Sequence, residues 1–184
     1  PDGGQVITEY DDAVVPRRVI TRVKESATQS VDNYQYFDGL GRPVQMVSFG
    51  EEGKPVVVRQ YYDAMGRNYL NQGPFFAAAT DYPQEPAGDH PYELTAAYDF
   101  RSRPLRVESP LDPGVHAGSP SVAAATFSYD GYEATATDAD GGKKAEFSDY
   151  LGRILRVREY LGTQSYDTLY NYNAAGDLRF VENK

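Results

Sequence analysis

The chain has 184 residues, a formal net charge of −9 and a pI near 4.7. That acidity argues against phosphate-bearing nucleic acid and anionic membrane as partners. The absence of Cys excludes a disulfide-stapled domain, a Cys-based zinc site and a Cys nucleophile, and no apolar run approaches the roughly 20 residues of a membrane helix.

Hydrophobic residues make up 40% and charged residues 24%, which fits a folded chain rather than a disordered one. The 16 Tyr and 8 Phe, with no Trp, favour strands, where aromatic cross-strand pairs stabilise and a Tyr hydroxyl can stay wet. Residues 1–12 read as a polar lead-in. Residues 14–23 are β-branched and strand-like, with Pro16 at an edge or strand start. Residues 27–33 read as a polar link into a first hairpin, whose return strand is 43–49. A turn at 51–54 leads to a strand over 55–62, and residues 67–70 leave the second hairpin. Residues 73–92 break the rhythm with five Gly or Pro punctuations after Gly73, around an apolar stretch at 75–79 that is expected to tuck against the sheet. Strands are expected at 93–98 and 104–108, then a second irregular insert at 109–121. Strands follow at 122–129, 132–137, 144–148 and 154–160, and a last hairpin spans 165–172 and 178–181. Every helical window is interrupted by Pro or Gly, or alternates with a period of two residues.

One short stretch recurs. Tyr36-Phe37-Asp38-Gly39-Leu40-Gly41-Arg42 reads as a strand end, a tight turn and a strand leaving with Arg. Asp38 suits the opening of a turn, because its carboxylate can accept from the amides that follow. Gly41 suits a left-handed position that a Cβ would penalise. Tyr61-Tyr62-Asp63-Ala64-Met65-Gly66-Arg67 is a second copy, and Ser148-Asp149-Tyr150-Leu151-Gly152-Arg153 another. Tyr98-Asp99-Phe100-Arg101-Ser102-Arg103 lacks the Gly, and Tyr172-Asn173-Ala174-Ala175-Gly176-Asp177 lacks the Asp and the Arg, so both are expected to be longer or differently shaped turns. The steps between the Asp or Asn marks are 25, 36, 50 and 24 residues, within the range of repeat arrays. The long step has room for a drifted turn at Tyr129-Asp130-Gly131 or at 138–142.

This pattern resembles the YD repeat, also called the RHS (rearrangement hot spot) repeat, over about residues 33–184. The stretches YFDGLGRPVQ (36–45), YYDAMGR (61–67), SYDGYEATATDADGGKK (128–144) and DYLGRILRV (149–157) carry the resemblance. It implies an all-β fold of consecutive antiparallel hairpins in one long curved sheet, part of a hollow RHS-type cocoon like that of insecticidal toxin-complex proteins and related polymorphic toxins. Residues 1–32 would be an N-terminal strand and linker region and 33–184 the repeat region. Since the chain begins Pro1-Asp2-Gly3-Gly4, it is expected to be a piece of a longer polypeptide.

Candidate sites are weighed on the same residues. His90 and His116 lie in the two inserts, with Asp81, Asp89 and Asp112 nearby, but the spacing matches no metal motif. Asp112-Pro113 is the dipeptide that marks an autoproteolytic centre in the RHS family. The aromatic-Arg-Tyr-Tyr context of that centre is missing, and Asp112 reads as a turn residue. Asp38, Asp63, Asp99 and Asp149 could suggest paired glycosidase acids, yet each comes with its own turn and its own Arg, and turn geometry is the preferred reading. Arg42, Arg67, Arg103 and Arg153 could pair with the turn Asp or with a neighbouring repeat and so set the register. Tyr34, Tyr36, Tyr61, Tyr62, Tyr98, Tyr170 and Tyr172 could offer a sugar-stacking face, though sheet packing is preferred.

The resulting expectation is a non-catalytic shell segment without cofactor or metal. The resemblance implies that the shell encloses and delivers a C-terminal toxin or cargo domain, that the remaining shell and that cargo are its partners, and that it works secreted or at the cell surface. The alternatives are a carbohydrate- or receptor-binding module using the Tyr-rich face, and a hydrolase using loop carboxylates.

Overall fold

The computed structural model describes residues 5–24, 30–50, 53–88, 90–111 and 122–184. Among them are fourteen strands and no helix. The strands are β1 (Val6–Asp11), β2 (Arg17–Lys24), β3 (Ser30–Phe37), β4 (Pro43–Phe49), β5 (Pro55–Tyr62), β6 (Asn68–Phe76), β7 (Tyr92–Tyr98), β8 (Pro104–Pro110), β9 (Val122–Asp130), β10 (Glu133–Thr137), β11 (Lys143–Ser148), β12 (Ile154–Leu161), β13 (Gln164–Tyr172) and β14 (Leu178–Asn183). Each hydrogen-bonds to its neighbours in chain order. The expected all-β, antiparallel hairpin fold is therefore what the chain forms. Two compact units divide it, Pro1–Leu94 and Thr95–Lys184, with the boundary inside β7.

In the first unit, β3 to β6 form the buried centre. Their alternation places Tyr36, Val47, Val57 and Phe75 on one face, where Val57 is fully buried. Burying side chains of this size contributes roughly 1.5–3 kcal/mol each. Ala77 and Tyr82, from the connection that follows β6, pack onto this cluster together with Tyr34 and Val44. Residues 75–79 were expected to tuck in as part of an insert starting at 73. Instead β6 runs on through Phe76, and the irregular path starts after it. A bulge makes this possible: Val57 pairs with Phe75 but Arg59 pairs with Gln72. Gly73 sits in it at φ 106°, and a Cβ there would come within 2.5 Å of the Val57 carbonyl oxygen.

Two further segments differ from expectation. Part of the polar lead-in forms β1, which pairs with β2 from Val6↔Val23 to Asp11↔Arg18. Thr8 and Glu9 do not prevent this, because an edge strand leaves polar side chains in water. The polar link before the first hairpin ends early, since β3 starts at Ser30. Its Asp32 is held across the pair by Arg22, with Nε and Nη2 at 2.7 and 2.8 Å from the two carboxylate oxygens.

Among the described residues of the second unit, Ala145 and Val157 are the buried apolar side chains. Phe147 lies under the Arg156 guanidinium at 3.7 Å. A second cross-strand fork, Arg158 to Asp167 at 2.7 and 2.8 Å, ties β12 to β13. The 109–121 insert, with Asp112 and His116, falls largely outside the described residues, as do Asp89, Glu51 and Glu52.

Candidate functional site

The turn after β3 is built by Asp38. Its Oδ1 accepts from the amides of Leu40 and Arg42 at 2.9 and 3.0 Å, and its Oδ2 accepts from Arg42 Nε at 2.8 Å. The backbone closes with Gly41 N–H donating to the Asp38 carbonyl and Asp38 N–H donating to the Arg42 carbonyl, at 3.0 and 2.9 Å. Gly41 stands at φ 76°, in the left-handed region where a Cβ is penalised. The Arg42 backbone amide, followed by its side chain, holds the Asp38 carboxyl below the usual range despite partial burial. At Asp63 the Arg67 backbone amide, helped by the Arg67 side chain, likewise holds the carboxyl below the usual range against the partial burial that raises it.

The arrangement repeats at Asp63 with Gly66 and Arg67, at Asp99 with Arg103, and at Asp149 with Gly152 and Arg153, with Arg Nε to Asp Oδ2 at 2.7 Å in each. At Asp99 and Asp149 burial pushes the carboxyl up, but the Arg amide and guanidinium outweigh it and the net direction is down.

The two divergent copies were expected to differ in shape, and they do not. Ser102 takes the glycine's place at φ 63° and keeps the closing bond to the Asp99 carbonyl at 3.0 Å. Asn173 substitutes for Asp because its Oδ1 still accepts from the Asp177 amide at 2.8 Å. Asp177, in the arginine's position, accepts from Asn173 Nδ2 at 2.9 Å. The stretch 138–142 makes the same turn: Asp138 Oδ1 accepts from Asp140 N and Gly142 N, at 3.0 and 2.7 Å. It joins β10 to β11, whereas the Asp149 and Asn173 turns join β11 to β12 and β13 to β14, so it lies at the opposite end of the strands.

The arginines also act beyond their own turns. Arg42 stacks on Tyr62, the residue before the next turn's Asp, at 4.3 Å from the ring centre. The Tyr62 hydroxyl donates to the carbonyl of Pro43, the residue after that Arg, at 2.9 Å. Arg103 and Tyr129 repeat this at 3.9 Å, with the hydroxyl 3.0 Å from the Pro104 carbonyl. Arg153 and Tyr172 do so at 5.1 Å, with the hydroxyl 3.0 Å from the Ile154 carbonyl. These three arginines thus link their own carboxylates to the following hairpin's ring, and the three hydroxyls fix the axial position. Tyr129-Asp130 takes the receiving position although its own turn is shorter. Arg42 also lies against the next turn, with Nη1 3.3 Å from where a Cβ on Gly66 would stand.

The 77–91 connection is held by side chains that sequence patterns did not single out. Gln45 is fully buried; its Nε2 donates to the Asp81 carbonyl at 3.0 Å and its Oε1 accepts from Gln84 N at 2.8 Å. Buried Arg59 pairs with Glu85 and faces the rings of Tyr61 and Tyr82, at 4.8 and 5.5 Å. The Tyr36 hydroxyl donates to the Thr80 carbonyl at 3.0 Å. A polar residue midway along an apolar strand was the available signal for Gln45 and Arg59.

The remaining candidates are spread apart. Tyr34 meets Phe49 edge-on at 6.3 Å, while Tyr61 hydrogen-bonds Gln72 at 2.6 Å. His90 lies between Gln72 Nε2 at 3.3 Å and the Gly88 carbonyl at 3.0 Å. Among the described residues no group of three or more His, Cys, Asp or Glu could hold a metal ion, and no helix is long and apolar enough to cross a membrane. A groove of about 460 Å³ lies between the β1–β2 connection and the Asp38 turn, bordered by Tyr10, Asp12, Val15, Arg17, Phe37 and Asp38.

Comparison with known proteins agrees on the fold. The crystal structure of TcdB2-TccC3 without its hypervariable C-terminal region is similar, with a TM-score of 0.60 at 15% sequence identity. The match covers 91% of this chain and 10% of that one, so the chain spans about a tenth of the length of that protein. No curated protein matches the sequence. The profile of a family described as a domain of unknown function, DUF6443, matches residues 14–111. That is more than half of the chain, which therefore belongs to the DUF6443 family.

Proposed function

We propose that the chain is a length of wall in an RHS-type shell, and that the complete shell encloses a C-terminal toxin or other cargo and delivers it from a secreted or surface-bound protein. The observation that carries this reading is the repeated link between hairpins. Arg42, Arg103 and Arg153 are each paired within their own turn and stacked on the next hairpin's Tyr, so these charged and aromatic residues join one hairpin to the next. Each link supports the following one. The turn carboxylates are saturated by amides and guanidinium, which suits wall material better than proton transfer. The fold shared with TcdB2-TccC3 supports the same reading. In this role the partners are further wall hairpins and the cargo, and the chain itself catalyses nothing.

A low-resolution envelope of the full-length gene product tests the proposal. A hollow particle is the expected result, and a solid or extended one overturns it.

A second reading is favoured by the groove between the β1–β2 connection and the Asp38 turn, where the Tyr10 and Phe37 rings could stack on a sugar. Glycan binding by the chain that disappears in Phe37→Ala would support it.

A further inference from the structure

We propose that the outer edge of β1 receives a β-hairpin from another segment of the wall, and that Tyr10 is the seat for the arginine that follows that hairpin's turn. The inference rests on the wall reading and names the partner at one end.

The argument starts from what the chain does internally. In three places a tyrosine directly before an Asp or Asn takes the guanidinium of the preceding hairpin. Its hydroxyl then bonds the carbonyl one residue beyond that Arg. Tyr10 has the same place. It directly precedes Asp11, whose Oδ1 accepts from the Ala13 amide at 3.2 Å, the bond by which Asp38 holds Leu40. Asp11 is likewise paired with an arginine of its own hairpin, Arg18 at 2.5 Å. Among the described residues no guanidinium stacks on Tyr10, and it is 75% exposed.

The strand carrying it is open as well. β1 pairs with β2 along one side, and no described strand lies along the other. Val6 and Ile7 on it are 63% and 44% exposed. An edge of this kind, with its backbone donors and acceptors unpaired, is a template for one more strand.

A second copy of the chain does not fit the seat. Its last hairpin, β13–β14, has Asp177 where the guanidinium should be, and that carboxylate is turned back onto Asn173. Two copies would also each bring a net charge of −9. The occupant is therefore a different hairpin, with an Asp-x-x-Gly-Arg turn.

The test uses the whole chain and a backbone-cyclised peptide with the sequence of residues 30–49, which contains such a turn. Amide hydrogen exchange in β1 and the Tyr10 ring resonances are followed by NMR during titration. The expected result is protection of β1, a shifted Tyr10 ring, and affinity about tenfold weaker for Tyr10→Ala or for a peptide carrying Arg42→Ala. Tyr10→Phe should lose less, and Phe180→Ala on β14 should lose nothing. Because Tyr10 is largely solvated, its variants should keep the far-UV spectrum of the parent.

Unprotected β1, affinity indifferent to both alanine changes, or concentration-dependent dimerisation through β1 without peptide would each overturn the inference. A hollow full-length particle together with an unprotected β1 would sink this docking site alone. A seated peptide without a hollow particle would sink the wall reading and leave the site standing.

Discussion

The Arg42 guanidinium lies 4.3 Å from the centre of the Tyr62 ring, and it belongs to the turn one hairpin earlier. The same guanidinium holds Asp38, with Nη2 2.7 Å from Oδ2. One side chain thus fixes the shape of its own turn and the position of the next hairpin. A double-mutant cycle on Arg42→Ala and Tyr62→Ala, read by chemical denaturation, should give a coupling of about 0.5–1 kcal/mol. Additive single changes would show that the stacking contributes nothing. Tyr62→Phe separates the hydroxyl bond to Pro43 from the stacking, and should cost about 0.5–1.5 kcal/mol.

Ser102 occupies a glycine's position at φ 63°. A Cβ in that region costs roughly 1–2 kcal/mol, and glycine returns part of the gain through its greater freedom in the unfolded chain. Ser102→Gly should therefore stabilise the protein by about 0.5–1 kcal/mol. Gly152→Ala, at φ 78°, should destabilise it by about 1 kcal/mol. The two midpoints in a urea titration, moving in opposite directions, check the pair.

These positions show what could be read from the chain and what could not. The turns were legible because each needs an acceptor at its first position and a left-handed residue at its fourth, and Asp and Gly meet those needs locally. Ser102 and Asn173 misled because an acceptor side chain at the first position and the backbone bond to the carbonyl four residues on hold the turn even where other residues depart from the pattern. The pairing of Arg42 with Tyr62 was legible only as a choice between partners, since a guanidinium can serve its own turn or a neighbour. Gln45 and Arg59 were legible only as polar residues midway along apolar strands, without their partners. Their partners at 81–85 lie in a Pro-rich connection with no periodicity, and a buried amide is recognised only once its partners are in place.

Gln45 ties the connection to the sheet through both ends of its side-chain amide. It is fully buried, and both ends of its amide are used by residues 81 and 84. Gln45→Ala would leave the Gln84 N–H and the Asp81 carbonyl without their partner and open a cavity, at a cost of about 2–4 kcal/mol. Limited proteolysis should then cut first within 77–91. A variant with parental stability and an uncut connection would refute this role.

Acid should dismantle the turns. The carboxyls of Asp38, Asp63, Asp99 and Asp149 are each held below their ordinary value of 3.8. A carboxyl lowered in the folded state binds protons more weakly there than in the unfolded chain. Its contribution is complete above about pH 3.8 and is lost as pH falls through the lower folded value. The melting temperature should accordingly change little between pH 7 and pH 5 on account of these groups, then drop steeply below pH 4. Asp149→Asn separates charge from hydrogen bonding, because Asn173 already shows that an amide oxygen can accept from the amide four residues on. The variant should be less stable than the parent at pH 7, through loss of the Arg153 ion pair. The gap should narrow as pH falls, since the parent's Asp149 is then protonated too. A gap that stays constant from pH 7 to pH 3 would show that the charge of Asp149 contributes nothing to stability.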